Sequence, residues 1–133
     1  MTVACPTSSP ENGTWDFNPH SWKQLFGSFP NQGISIEWHD FKHHEDVEWS
    51  KSFHEDSLEL CLNFSGLGSV QQGRRQASFR SGTVGYYFPL SESPSASRVS
   101  DEHHQFITVE LSRSFFQANV LRFHRRRKRL FFI

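Results

Sequence analysis

Cysteine is scarce in this 133-residue chain, and two copies are too few for a disulfide framework. Cys5 lies in a polar leader and Cys61 in a strand-like run. Long apolar runs are also lacking, because no stretch approaches the ~20 residues that a membrane-spanning helix needs. Residues 1–14 have no apolar segment of the kind that signal peptides carry. We therefore expect a cytoplasmic protein with no membrane partner.

The chain also has no net charge, since 14 Lys and Arg balance 14 Asp and Glu. The charges are unevenly spread. Residues 1–123 carry nine of the basic residues and all of the acidic ones, a net charge of −5, and five basic residues follow at 125–129. Nucleic-acid-binding domains usually have a basic face built into the fold. An acidic body with a basic end does not fit that class, and the length fits one domain.

Aromatic residues are plentiful, with 14 Phe and 4 Trp, as in a small sheet protein with an aromatic core. Apolar and polar residues alternate most clearly in "ISIEWHDF" (34–41) and "LELCLNF" (58–64). Further strands are predicted at 46–53, 70–72, 76–79, 84–90 and 105–112, with a polar loop at 91–102. Six or seven strands separated by turns predict a sandwich or barrel.

A short helix is predicted before the first strand, over residues 19–29. Asn18 and Pro19 are typical of a helix start. Four apolar side chains then fall on one helical face, namely Trp22, Leu25, Phe26 and Phe29. We expect this helix to pack its aromatic face on the main body.

A second helix is predicted after Ser112, where the apolar period changes to 3.6. Phe116, Val120 and Phe123 form an apolar stripe that predicts a docking or dimerisation helix. We expect the basic run to lie mostly on the opposite, solvated face, with DNA contact in a full-length protein or a targeting signal as the alternatives. Arg127 is the exception, close to the middle of the stripe, so either the helix breaks before it or it meets an acidic partner on the barrel or a second subunit.

The stretch "LELCLNFSGLGSVQQGRRQASFRSGTVGYYFP", with "HHQFITVELSRSFF" after it, resembles the N-terminal, effector-sensing domain of AraC-type transcriptional regulators. A strand ending in Gly, a short hairpin, a turn around Gly82, a second strand, a polar loop and a last strand occur in that order. The similarity covers about residues 34–123. "ELCLNFSG" and "GTVGYYF" are most similar to the siderophore-responsive branch.

The resemblance implies a mainly β fold, the double-stranded β-helix or cupin-type jelly roll. That domain would occupy 15–111, after a mobile polar arm at 1–14 that is a candidate lid. Residues 112–133 would be a truncated form of the helical region that mediates dimerisation in relatives, so a homodimer is compatible. The DNA-binding domain of relatives has no counterpart here, so DNA is expected as a partner only through an absent domain.

The resemblance further implies a small-molecule effector bound in the barrel, with no cofactor. Its register puts Glu59 inside, and alternation along the strand then adds Cys61 and Asn63. Leu58, Leu60, Leu62 and Phe64 would face outward, which requires helices to cover them. The opposite register makes these apolar residues an ordinary core, and burial alone favours it. The candidate residues of the lumen or its rim are Trp38, His39, His54, Glu59, Cys61, Asn63, Tyr86 and Tyr87, each with core packing as the competing role.

The alternative hypothesis is a stand-alone cupin metal-binding protein or enzyme, since many cupins are metalloenzymes. Glu59 and His54 match the first metal motif, but Ser52 replaces its other His, and Gly85 replaces the His of the second motif. With two of the four ligands missing, we expect no bound metal. No nucleophile motif or phosphate loop is present, so we assign no catalytic residue. A dimerisation module without a ligand is a third hypothesis.

Overall fold

Nine strands and a few short helical turns form the part of the chain that this computed structural model describes, residues 15, 20–52, 54–87 and 94–121. The strands are Trp22–Ser28 (β1), Ile34–Lys42 (β2), Val47–Glu48 (β3), Ser57–Ser65 (β4), Gly68–Gln72 (β5), Arg75–Phe79 (β6), Thr83–Tyr87 (β7), Ser95–Arg98 (β8) and His103–Ser112 (β9). The helical elements are Phe29–Gln32 (α1), a 3₁₀ turn at Ser50–Ser52, Arg113–Phe115 (α2) and a π-helical turn at Phe116–Leu121. None of the helices within these ranges is long and apolar enough to cross a bilayer.

The strands form two antiparallel sheets, and the predicted mainly β architecture is confirmed. One sheet has the order β1-β2-β9-β4-β7 and the other has the order β3-β8-β5-β6. Their inner faces share one core, to which each sheet contributes. The buried members of this core are Trp15, Phe41, Val47, Trp49, Cys61, Val70, Phe79, Ala96 and Phe106. Five of these nine residues are aromatic, as the composition predicted.

The first strand corrects the prediction of a helix over 19–29. β1 pairs with β2, placing Trp22 opposite His39 and Phe26 opposite Ile36, with a bulge at Leu25 between them. A bulge adds one residue to a strand, so the bulged strand changes the face on which its later side chains lie. Trp22 therefore packs on the core while Phe26 faces outward and is 56% exposed, although their spacing matches one helical turn.

A second correction concerns the predicted polar loop at 91–102, which contains β8. This strand lies between β3 and β5, and Ala96 pairs with Val70. Its sequence, Ser-Ala-Ser-Arg, lacks the apolar alternation that marks a strand. Because neighbouring strands on both sides pair with it, tertiary contacts override this weak local preference.

The helical segment after β9 agrees with the sequence at its start. Ser112 caps it, with its hydroxyl oxygen accepting a hydrogen bond from the Phe115 amide at 3.1 Å. The chain then winds as a π-helical turn from Phe116, so a stripe with a period of 3.6 residues does not apply there. Phe123, Arg127 and the arm at 1–14 lie outside the described residues, as does the side chain of Val120. The dimerisation prediction therefore stays a prediction.

Gly85 shows how tightly the two sheets approach each other. It lies on β7 opposite Cys61, and its backbone faces the ring of Phe79 from the other sheet. A Cβ atom at position 85 would overlap that ring. Phe79 is 1% exposed and belongs to the core, so its ring fills the space that a side chain at position 85 would need.

We predict that Gly85→Ala destabilises the protein by roughly 1–3 kcal/mol, because the added methyl group overpacks the core against Phe79. The same change should cost less in a Phe79→Leu background, where the opposing side chain is smaller. Urea denaturation of the two single variants and the double variant measures the coupling. Strictly additive costs would contradict this close contact.

Candidate ligand-binding site between the sheets

The pairing of β4 with β9 decides which side chains lie between the sheets. Glu59 is the register partner of Glu110, and Cys61 is the partner of Thr108. All four are buried on the inner face, whereas the leucines of β4 lie on the outer face and are half-buried. Of the two registers that the sequence left open, the structure has the one with Glu59 inside.

One end of this inner face is acidic. Ser57 donates a hydrogen bond to Glu110 Oε2 at 3.2 Å, and His54 Nδ1 lies 2.5 Å from Glu110 Oε1. Tyr87 donates its hydroxyl proton to Glu59 Oε1 at 2.6 Å. Burial, and then the neighbouring Glu110 charge, raise the pKa of Glu59 well above its ordinary value. The site therefore favours the protonated form of Glu59 beside an ionisable partner.

At the other end lies the basic side chain of Arg98, which comes from β8 in the opposite sheet and is 1% exposed. Its Nη1 donates to Asn63 Oδ1 at 2.6 Å, and its Nη2 donates to Cys61 Sγ at 3.5 Å. Its guanidinium carbon lies 3.7 Å from the centre of the Phe106 ring. Burial raises the pKa of the Cys61 thiol to about 12, so Cys61 is a neutral thiol at physiological pH.

His39 lies near the middle of the inner face and stacks on Phe106, with ring centres 4.4 Å apart and planes within 5°. Its Nε2 lies 3.2 Å from Glu37 Oε2. Burial lowers the pKa of His39, despite the raising effect of Glu37, so the neutral ring is favoured. His39 and Arg98 are both so close to the Phe106 ring that they must lie on opposite faces of it.

The structure brings together six of the eight residues that the sequence singled out: His39, Glu59, Cys61, Asn63 and Tyr87 on the inner faces, with His54 beside Glu110. The other two were wrongly placed at the lumen or its rim. Trp38 lies on the outer face against Phe64, with ring centres 5.8 Å apart, and Tyr86 is 55% exposed. Strand alternation sends them outward because His39 and Tyr87, their immediate neighbours, point inward.

Sequence reasoning missed several polar residues between the sheets, among them Ser57, Thr108, Glu110 and Arg98. Alternation along β9 could have predicted that Glu110 and Thr108 face inward, because it places Ile107 and Val109 on the outer face. Arg98 had no such signal, since the sequence of its strand lacks apolar alternation and resembles a loop. Its place opposite Phe106 follows only from the packing of one sheet on the other.

These residues do not fit the metal centre of a metallo-cupin. His54 pairs with Glu110, not with Glu59, whose Oε1 accepts from Tyr87. The Phe79 ring occupies the space at Gly85, where a second-motif His would stand. In the part of the chain that the structure describes, no three His, Cys, Asp or Glu side chains group closely enough to hold a metal ion.

Comparison with known proteins identifies the fold. No family model and no curated protein matches the sequence. The chain is similar to the Cupin_2 domain of an XRE-family transcriptional regulator from Enterobacter cloacae, at 13% identity and TM-score 0.51, over 68% of this chain and 93% of that one. It is also similar to a cupin superfamily protein from Desulfitobacterium hafniense, at 14% identity and TM-score 0.51, over 68% and 75% of the two chains.

A third similar structure is an HTH_3-family transcriptional regulator from Vibrio cholerae, at 18% identity and TM-score 0.54. The match covers 79% of this chain and 57% of the Vibrio cholerae regulator, so the chain spans little more than half of it. At these identities the likeness establishes the fold alone. The chain has the cupin fold, as the resemblance implied.

We predict that Glu59→Gln stabilises the protein increasingly as the pH rises. The folded protein holds the Glu59 proton more tightly than the unfolded chain, whose pKa is near 4.5. The stability that this proton provides is therefore present below about pH 4.5 and is lost as the pH rises through the folded-state pKa. Gln mimics the protonated acid and carries no such penalty. Thermal unfolding from pH 5 to pH 8 should show a Tm difference, variant minus parent, that grows with pH.

Glu55→Gln is the matched control, because Glu55 is exposed and lies outside the inner face. It should leave the pH dependence of Tm unchanged. A Tm difference for Glu59→Gln that stays constant over the same pH range would show that burial does not perturb this carboxyl group.

Proposed function

We propose that this chain is the effector-sensing domain of an AraC-type transcriptional regulator. A small molecule would bind between the sheets and control an attached helix-turn-helix domain. The observation that carries the proposal is the cluster of buried polar side chains on the inner faces of the sheets. β9 contributes to this cluster and leads directly into the helical segment that begins at Arg113. The resemblance of residues 34–123 to AraC-type sensing domains supplies the family.

The polar cluster supports a binding role because it is costly to bury. Glu59, Glu110 and Arg98 are each at least 93% buried, and burying charged or polar groups opposes folding unless partners compensate them. A core selected only for stability would use apolar residues of similar volume at these positions. Convergent polar groups beside aromatic walls are typical of small-molecule sites.

The position of β9 supports a regulatory role. Glu110 contacts the site from the inner face, and two residues later Ser112 caps α2. His54, which binds Glu110, also stacks on Phe29 of α1, with ring centres 4.0 Å apart. A ligand that binds one conformation of this end of the barrel more tightly than another would shift the population of the two. The segment that follows β9 would change its position with them.

The names of two similar structures agree with a regulatory role in general, though not with the AraC family in particular. The Enterobacter cloacae domain comes from a transcriptional regulator, and the Vibrio cholerae protein is one. Their family names are XRE and HTH_3, so the AraC assignment rests on the sequence resemblance. Cupin domains of regulators are thus among the neighbours of this fold.

The proposal is for binding and not for catalysis, and its main rival is a cupin metalloenzyme. Elemental analysis of the purified, untagged chain separates the two hypotheses. A stoichiometric transition metal lost on His54→Ala would favour the rival.

We predict that a panel of metabolites and ferric siderophores contains a compound that saturably quenches tryptophan fluorescence, because Trp15 and Trp49 lie in the shared core. The same compound should raise Tm, since a ligand at 100 times its Kd adds about 2.7 kcal/mol to the free energy of unfolding. A panel without any saturating compound would count against a sensing domain.

The adjacent tyrosines of β7 provide a matched pair of variants for locating the ligand. Tyr87→Phe removes a hydroxyl from the inner face and should weaken binding roughly 2- to 10-fold, the value of one hydrogen bond. Tyr86→Phe changes an exposed residue of the outer face and should leave the affinity unchanged. Equal effects of the two variants would place the ligand outside the sheets.

A further inference from the structure

We propose that Arg98 is the anchor for an anionic group of the effector, and that the effector is a small organic monoanion, a carboxylate on an apolar or aromatic body. The inference rests on the proposed function and adds the chemical class of the ligand. Its basis is a fully buried guanidinium that forms no ion pair with a carboxylate among the described residues.

Among the described residues, none of the ion pairs includes Arg98. The groups that it binds are both neutral, an amide oxygen of Asn63 and the thiol of Cys61. Buried cations in folded proteins are almost always paired with a charge of opposite sign, because leaving water costs several kcal/mol per ion. Within the described ranges, Arg98 lacks such a partner at ion-pair distance, and it lies inside the barrel, where the ligand of a sensing cupin would lie.

Donor capacity remains on this guanidinium. Within the described part of the chain, two of its five N–H groups donate hydrogen bonds and Nε has no hydrogen-bond partner. Nε–H and an adjacent Nη–H form a planar fork that matches the two oxygens of a carboxylate. The Nε–H of Arg98 therefore belongs to an edge that can recognise carboxylates.

The guanidinium is held in place before any ligand binds. Asn63 accepts from Nη1 while its own amide donates to the carbonyls of Gly66 and Arg80, at 2.8 and 2.9 Å. Gly68 lies beside it, and a Cβ atom there would stand 3.0 Å from Nε. Phe106 supports its face. Such fixed geometry reduces the entropy cost of binding an anion.

The surroundings restrict the ligand further. Glu110 lies at the far end of the site, so a dianion such as phosphate would meet more repulsion there than a monoanion. The walls near Arg98 are aromatic, with Trp15 5.9 Å from Phe106 between ring centres. An aromatic carboxylate satisfies both conditions. Because Arg98 is shielded from solvent, entry requires the barrel to open, and association should be slow.

Benzoate and its neutral isostere benzamide test the inference, with inorganic phosphate as a third probe. Each is titrated into the chain at constant ionic strength, set with sodium chloride, while tryptophan fluorescence and Tm are followed. We expect benzoate to saturate and to raise Tm, and benzamide and phosphate to bind at least tenfold more weakly.

Three variants assign the effect to Arg98. Arg98→Met keeps the apolar stem and removes the charge, and should lower benzoate affinity roughly 10- to 100-fold, as expected for charge-assisted hydrogen bonds. Arg98→Lys keeps the charge without the fork and should give an intermediate loss. Gly68→Ala leaves Arg98 in place but crowds its Nε, so it provides the test if Arg98→Met fails to fold.

The outcomes separate this inference from the proposed function. Equal binding of benzoate and benzamide, or a preference for benzoate that survives in Arg98→Met, overturns the anionic assignment. Saturation by a neutral member of the metabolite panel without any benzoate binding overturns it too, while the sensing function stands. If no ligand, charged or neutral, gives saturable binding, both the anionic assignment and the sensing function are refuted.

Discussion

The hydrogen-bonded register of β4 against β9 determines the chemistry inside this fold. A shift of one residue would bury the leucines of β4 and turn Glu59, Cys61 and Asn63 to the outside. In the observed register the centre of the larger sheet has a polar inner face and an apolar outer face. Cohesion between the sheets then depends on aromatic residues, above all Phe106 and Phe79, which surround the polar groups and exclude water from them.

The sequence predicted most of the sheet but not its first strand or β8. β2 and β4 were found because strict alternation is a local property of the chain. The sequence of β1 resembles a helix because Trp22 and Phe26 are four residues apart, as on one helical turn. The bulge between them turns these two side chains to opposite faces of the strand. β8 was read as a loop because its pairing with β3 and β5 is tertiary and leaves no local pattern.

The candidate site was predictable in part. The inward placement of Glu59 came from the resemblance and not from burial, which favoured the opposite face. Trp38 and Tyr86 were misplaced, although alternation with His39 and Tyr87 contained the answer. Arg98 could not have been found, because no spacing in the sequence records which side chains meet when one sheet packs on the other.

The bulge at Leu25 also changes the edge of the larger sheet. β1 is the last described strand on its side, and a straight edge there would expose a row of backbone groups ready to pair with another chain. The bulge breaks that row, and the Gln24 amide donates to the carbonyls of Phe26 and Gly27. Leu25 and Phe26 are 48% and 56% exposed, so this edge also carries exposed apolar side chains. The distortion that makes this strand resemble a helix in the sequence thus makes the edge a poorer template for pairing with another chain.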